Sequence, residues 1–439
     1  MRSPALIAPL RGRTFRRLAA SYTVNELGDW MGIVALSVLV YDQTGSALAT
    51  TLLFLANSFL PAILAPLLVA RVEGPPPRFV LPVLYCGEAA AFGALALFAS
   101  HFSLTAVVVI AAIDGALALA SRSLTRAVVA ALLEPRDQLR SGNALLNIAF
   151  TGGAALGPAL AGLVVAGFGV QTALLLDAIS FYAVAWILLT AGPLPRAEPE
   201  PGRMRDRVRA GITYIREKVV LRRLLVAQGA AFVFFATVLP IEVIYAKETL
   251  NAGDSGYGLL LASWGAGMVL GSFVFAAVRR ASLALLLLVS TLAVGAGYLG
   301  LAAAPTLAVA CAASVLGGAG NGVQWVSVIS AVQELTADAM QARVISVLES
   351  IGAAMPGLGF ALGGVVAAVA TPRATFLVAG LGVLAILALA VPLLGSKWLE
   401  YAPKRRSYKG SFGLDGEQDV VLELIPRGTP TQPDSEVQP

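Results

Sequence analysis

Twelve apolar runs alternate with short polar stretches along the chain, at 18–41, 47–70, 79–100, 104–125, 143–168, 171–191, 224–245, 257–278, 283–303, 306–328, 344–370 and 375–394. Each is near the length of about 20 residues that carries a helix across a bilayer. Pro and Gly recur inside them, as packed membrane helices tolerate. The pattern predicts an all-α membrane protein with twelve transmembrane helices.

The runs fall into two sets of six. Residues 193–218 form a polar, Arg-rich link between the sixth run and the seventh. Arg16-Arg17-Leu18 precedes the first run, and Arg222-Arg223-Leu224 precedes the seventh. The fifth run carries Gly153, Gly157-Pro158 and Ala161-Gly162; the eleventh carries Gly359 and Gly363-Gly364, with Gly359 and Gly364 standing 202 positions after Gly157 and Gly162. This repeat divides the chain into a six-helix half at 1–192, a cytoplasmic linker at 193–222, a second half at 223–396 and a polar tail at 397–439. The tail is expected to be cytoplasmic and mostly disordered, with 420–425 a candidate short strand. Two such halves suggest a transporter whose site lies between them near the midplane.

Composition agrees with a membrane protein and excludes several classes. The chain is 57% hydrophobic and 13% charged, with mean hydropathy +0.79, whereas a soluble domain is about one quarter charged. All but two of the 31 Lys and Arg residues lie in segments facing one side; the exceptions are Lys247 and Arg373. That bias places both termini in the cytoplasm. The net charge of +5 is not gathered into a nucleic-acid-binding stripe. Cys86 and Cys311 sit in apolar runs and read as small buried side chains, and no metal, phosphate-loop or hydrolase motif is present. No enzyme chemistry, cofactor or metal is expected.

The polar residues inside the apolar runs are the informative ones. Asn25, Glu26 and Asp29 share one face of the first helix, being spaced three and four apart. A carboxylate in hydrocarbon costs about 2.5 kcal/mol or more, so this face should meet protein or a water-filled cavity. A carboxyl sheltered in this way is suited to take up and release a proton as access alternates between the two sides.

Four stretches carry a family resemblance: Leu27-Gly28-Asp29-Trp30, Tyr41-Asp42-Gln43-Thr44-Gly45-Ser46, Gly157-Pro158-Ala159-Leu160-Ala161-Gly162 and Asp177-Ala178-Ile179-Ser180-Phe181. With these the chain resembles the major facilitator superfamily, in particular the branch of enterobactin exporters and macrolide efflux pumps. The helix-five stretch matches the antiporter motif of that superfamily. One departure stands out: the loop after helix two, where the family has Gly-x-Leu-Ala-Asp-Arg, reads Pro66-Leu67-Leu68-Val69-Ala70-Arg71. Arg71 remains, but Ala70 replaces the Asp that normally helps latch the cytoplasmic gate.

The resemblance implies that helices one and four line the cavity. Glu26, Asp29 and Asp114 are then the candidates for proton coupling. Tyr22, Asn25, Asn143, Asn147, Gln228, Trp264, Asn321, Gln324 and Glu349 are candidates for the substrate cavity, with Trp325 beside them. Asn321 and Gln324 mark either a substrate face or a close crossing made by Gly317, Gly318 and Gly320. Arg71, Arg122, Gly153, Gly157, Pro158 and Gly162 are assigned to gating and packing. Arg122 and Arg126 read as snorkelling to the interface, with pairing to an intramembrane acid as the alternative. Glu88 and Asp177 read as structural hydrogen-bonding groups. No Lys or Arg is expected at mid-membrane, which favours a cationic or amphipathic cargo.

The expectation is a monomeric secondary transporter of a bacterial plasma membrane, in contact with lipid, protons and a small-molecule substrate. Proton-coupled export of a drug, macrolide or siderophore fits best. A lipid or lysolipid translocator, a proton symporter and a transport-inactive scaffold or sensor are the alternatives.

Overall fold

The computed structural model describes residues 5–64, 75–136, 138–195, 204–278, 281–337 and 340–394. Twelve helices in this range are long and apolar enough to cross a membrane. They are α1 (Arg13–Thr44), α2 (Ala47–Leu64), α3 (Pro77–Phe98), α4 (Leu104–Arg136), α5 (Ser141–Phe168), α6 (Val170–Leu189), α7 (Val219–Ala236), α8 (Gly253–Ala277), α9 (Leu283–Ala303), α10 (Leu307–Leu335), α11 (Arg343–Val369) and α12 (Pro372–Val391). Arg71, the rest of the loop after α2 and the tail from 395 lie outside the described residues, so the gate-loop expectation falls there, as does the candidate strand at 420–425.

Local sequence explains many of the helix ends. Ser46, Ser103, Ser282 and Thr306 cap α2, α4, α9 and α10, each side-chain oxygen accepting from the backbone N–H three residues on. Pro77 opens α3 at a position where the missing N–H is harmless. Gly45 ends α1 in the left-handed conformation, at φ 59°, and turns the chain directly into α2. Pro82, Pro158 and Pro356 are accommodated inside α3, α5 and α11.

The helices alternate in direction, so each has one end toward the linker helix (Met204–Glu217) and one toward the opposite, far end. Among the first six, α1 packs on α5 and α6, α3 on α4 and α6, and α2 on α4. Among the last six, α10 packs on α8 and α9, and α7 and α9 both pack on α12, with α11 on α7. The two sets meet along α5–α8 and α2–α11. Outward apolar side chains such as Val83, Trp186, Phe273 and Leu389 remain exposed, as they must where the surrounding solvent is lipid.

The α5–α8 seam depends on small residues. A Cβ on Gly162 would stand 3.0 Å from the Asp254 carbonyl oxygen and 3.0 Å from the Gly258 Cα. Backbone therefore lies against backbone from the middle of both helices to the far end. The linker helix is seated on α11 by Gly211, whose missing side chain leaves space for the Arg343 carbonyl.

Candidate functional site

The polar face of α1 is enclosed by α4, α5 and α6. Gly153 of α5 lets that helix lie against Glu26: a Cβ there would stand 3.0 Å from the Glu26 Cβ. Gly28 and Gly32 of α1 do the same for α6, and Asp177 occupies the space they leave. A Cβ on Gly32 would reach 2.5 Å from both Asp177 Oδ2 and the Phe92 ring. The Asp177 carboxylate also accepts from Ser180 at 3.2 Å. This small-residue approach explains why an acid on α6 is fully enclosed.

Arg122 of α4 lies at the centre. Its guanidinium bonds Asp29 Oδ2, and its Nε lies 3.9 Å from Glu26 Oε1. Asn25 donates to the same Asp29 oxygen at 3.0 Å. The Glu26 side chain is 1% exposed and Asp29 14%, whereas Arg122 is 40% exposed. Water thus reaches the cation but scarcely reaches its acids. Tyr22, one turn earlier, is the hydroxyl within reach of the Glu26 carboxyl, and among the described residues the contact falls short of good hydrogen-bond geometry.

Asp29 stands midway along α1, so Arg122 is not drawn off to an interface, and the expectation of no cation at that depth is corrected. The reason is directional. Side chains on a helix lean toward its N-terminus, and α4 begins at the far end, so the Arg122 stem points into the bundle. Arg126, one turn on, is 63% exposed and pairs with Glu349 of α11 at 3.4 Å. That contact joins the first six helices to the last six near the linker end.

Two further acids complete the network. Glu88 of α3 is fully buried and accepts from Ser121 of α4 at 2.9 Å. Asp114 of α4 accepts from Asn57 of α2 at 3.4 Å, and Asn57 also donates to the Ala111 carbonyl at 3.2 Å. Asn57 lies in a π-helical turn, Leu55–Phe59, which seats its backbone carbonyl against Gly115; such turns often mark functional positions. Glu88, Asp114 and Asp177 all lie within electrostatic reach of Asp29. The arrangement can hold charge only in part: Arg122 bonds Asp29 and lies near Glu26, while Glu88, Asp114 and Asp177 have no cation bonded to them among the described residues, and a buried carboxylate without a cation or full hydrogen bonding is strongly disfavoured.

The remaining candidates scatter. Tyr22 is buried one turn before Glu26. Asn143 and Asn147 lie on one exposed face at the linker end of α5, and Asn321 is half-buried. Trp264 stacks on Tyr298 with centroids 5.1 Å apart, its indole N–H buried without a partner. Gly157 admits Trp30, whose Cβ would be 2.6 Å from a Cβ at that glycine. Gln228 and Gln324 do not join the asparagines between the two sets of helices. They line a pocket among α7, α9, α10 and α12, where Gln324 donates to Thr291 of α9 at 2.9 Å.

A second polar group closes the far end and was missed in the sequence. Tyr41 of α1 donates to Glu248, while Lys247 bonds Asp42 in the last turn of α1 and Asp254 at the start of α8, the latter at 2.6 Å. Lys247 and Glu248 sit in a second π-helical turn, Tyr245–Thr249. The available signal was Lys247 itself, one of two cations on an otherwise cation-poor side.

Comparison with known proteins places this geometry in context. A family model described as transmembrane secretion effector matches residues 4–407. A search of curated proteins gives no match. Among solved structures the chain is similar to the nucleoside transporter NupG, at 12% identity and TM-score 0.66 over 87% of this chain and 99% of that one. It is similar to a POT family transporter in complex with 5-aminolevulinic acid, at 12% identity and TM-score 0.71 over 88% and 97%. It is also similar to the human organic anion transporter MFSD10 (TETRAN), at 18% identity and TM-score 0.61 over 87% and 99%. At these identities the structures establish the fold, and the family match establishes the class. The chain belongs to the transmembrane secretion effector family of the major facilitator superfamily, a family of secondary transporters and not of enzymes.

Proposed function

We propose that the protein is a proton-coupled exporter of a small amphipathic or cationic molecule, such as a drug, macrolide or siderophore. The observation that carries this reading is the cluster of Glu26, Asp29 and Arg122, in which acids shielded from water share one water-exposed cation. Glu26 carries the proton. Enclosed at 1% exposure, with Arg122 no nearer than 3.9 Å, it is unfavourable as a bare anion, and either a proton or a closer Arg122 relieves it. Asp29 holds Arg122 in place, and Asp114 couples α2 to α4. The negative charge that Glu26 gains as its proton leaves draws Arg122 toward it and away from Asp29, which links protonation to the setting of α1 against α4.

The reading takes the linker end as cytoplasmic, in a bacterial plasma membrane, with both termini on that side and the chain a monomer. The two six-helix halves, 1–192 and 223–396, rock against each other. The contacts at Lys247 and along the α5–α8 seam hold the far end closed, while the exposed Arg126, Asn143 and Asn147 lie at the linker end.

The test uses energised vesicles and a panel of amphipathic cations. Cargo addition should acidify the compartment from which the cargo leaves. Combined E26Q, D29N and D114N should abolish this, and E26Q alone should remove the dependence of transport on the pH gradient. Cargo flux that moves no protons, or proton movement untouched by the triple change, overturns the reading.

A further inference from the structure

The pocket among α7, α9, α10 and α12 is separate from the acidic cluster and has different chemistry. Its walls are aliphatic apart from Gln228, Thr291 and Gln324, and no charged side chain lines it. The enclosed space between the helices is ≈ 80 Å³ and is open at its mouth, so it takes part of a ligand rather than surrounding one. Gln228 is 8% exposed, and its amide has no hydrogen-bond partner among the described residues. That amide opens onto the pocket and can bond a polar group that enters it.

The internal repeat explains why there is a space here. Ser103 and Thr306 cap α4 and α10 at positions 203 apart. The Ser121–Glu88 bond of α3 and α4 returns 203 positions later as the Gln324–Thr291 bond of α9 and α10. The same spacing sets Leu288 at the position of Tyr85. The spacing of 202 seen between α5 and α11 also holds between α6 and α12: Ala173, Leu174, Asp177 and Phe181 are buried, and so are Thr375, Phe376, Ala379 and Val383. In the first half, Tyr85 and Phe181 stack with centroids 6.3 Å apart and fill the centre of the bundle. In the second half their counterparts Leu288 and Val383 are smaller, and both face the pocket. Two aromatic rings are replaced by aliphatic side chains, and a charged hydrogen bond is replaced by a neutral one.

We propose that this pocket binds an uncharged amphipath, its alkyl chain between α9, α10 and α12 and its neutral ester, amide or hydroxyl group bonded to Gln228 and Gln324. Charged headgroups are excluded because no counter-charge lines the wall and a bare ion there would be costly. The shared chemistry is an alkyl chain with one neutral polar group, supplied either by a bilayer lipid or by a free amphiphile.

The experiment uses the full chain in nanodiscs and a 16-carbon primary alcohol bearing a mid-chain diazirine. After illumination, adducts should concentrate on peptides covering 224–231, 284–291, 324–328 and 383–391. L288Y and V383F should each lower that labelling at least fivefold and leave labelling of the outward faces of α3 and α6 unchanged. Q228L preserves the pocket's size, so it tests the polar end even if the larger substitutions fold poorly. It should reduce labelling by the alcohol and not by a diazirine hydrocarbon of equal length. Solvent extraction of the purified protein separates the sources. A lipid present in wild type and lost in V383F supports the proposal with the bilayer as source, and an empty wild-type pocket that still takes the alcohol supports it with a free amphiphile as source. Labelling spread evenly over the outward helix faces, or indifferent to all three variants, overturns the proposal. The readout involves no proton movement, so it stands or fails apart from the coupling mechanism.

Discussion

The first six helices and the last six follow the same plan with opposite interiors. Among the described residues the first set encloses Glu26, Asp29, Glu88, Asp114 and Asp177 around Arg122, while the second fully buries one carboxyl, Glu242. At corresponding depths the first set has Glu88 bonded to Ser121 and the second has Thr291 bonded to Gln324. The difference teaches that buried ionisable groups are concentrated on one side of the molecule. The two sets meet along α5–α8 and α2–α11 and through the Arg126–Glu349 and Lys247–Asp42 ion pairs.

The largest break in this contrast comes from R122L. It leaves Asp29 and Glu26 enclosed with no cation, and removing one partner of a buried pair costs about 3 kcal/mol or more. The water-exposed side of Arg122 brings the expected loss to the lower end of that range. The thermal midpoint of the purified protein should fall by several degrees and transport should be lost. An R122L protein as stable as wild type would show that Arg122 does not neutralise its neighbours.

G32V is next. Its side chain would enter the space held by Asp177 and Phe92, and overpacking of this kind costs about 1–3 kcal/mol. Denaturant-induced unfolding should shift to lower concentration. K247A removes both far-end ion pairs across α1 and α8, a loss of about 1 kcal/mol. Roughly fivefold more far-end opening should follow, read as faster thiol labelling of a cysteine placed at the buried Ala161 of α5. The smallest effect is expected in the neutral half. Q324L forfeits one hydrogen bond to Thr291, about 1 kcal/mol, and should leave the pH profile of transport unchanged.

The twelve spans were legible because lipid demands long apolar runs, and the polar face of α1 was legible because residues three and four apart share a helix face. The partners were not. Arg122 reads as an interfacial cation until the direction of α4 is known. Asn57 reaches Asp114 through a π-helical turn that no residue type in 55–59 announces. Asp177 on α6 looked peripheral because the two glycines that bring it against α1 lie in a different helix. Gln228 and Gln324 read as substrate-cavity candidates together with Asn143 and Asn147, and nothing in the letters sets them instead in a pocket beside Leu288 and Val383, which look like ordinary core.

The bare crossing at Gly162 and Gly258 bears on how fast the molecule can turn over. Two interlocked surfaces must withdraw each knob from its hole before they separate, and each rotamer that changes adds friction. Main chain resting on main chain has nothing to withdraw. In the proposed alternation that face would peel apart and settle back as a smooth bearing does, with the ion pairs around Lys247 as its catch.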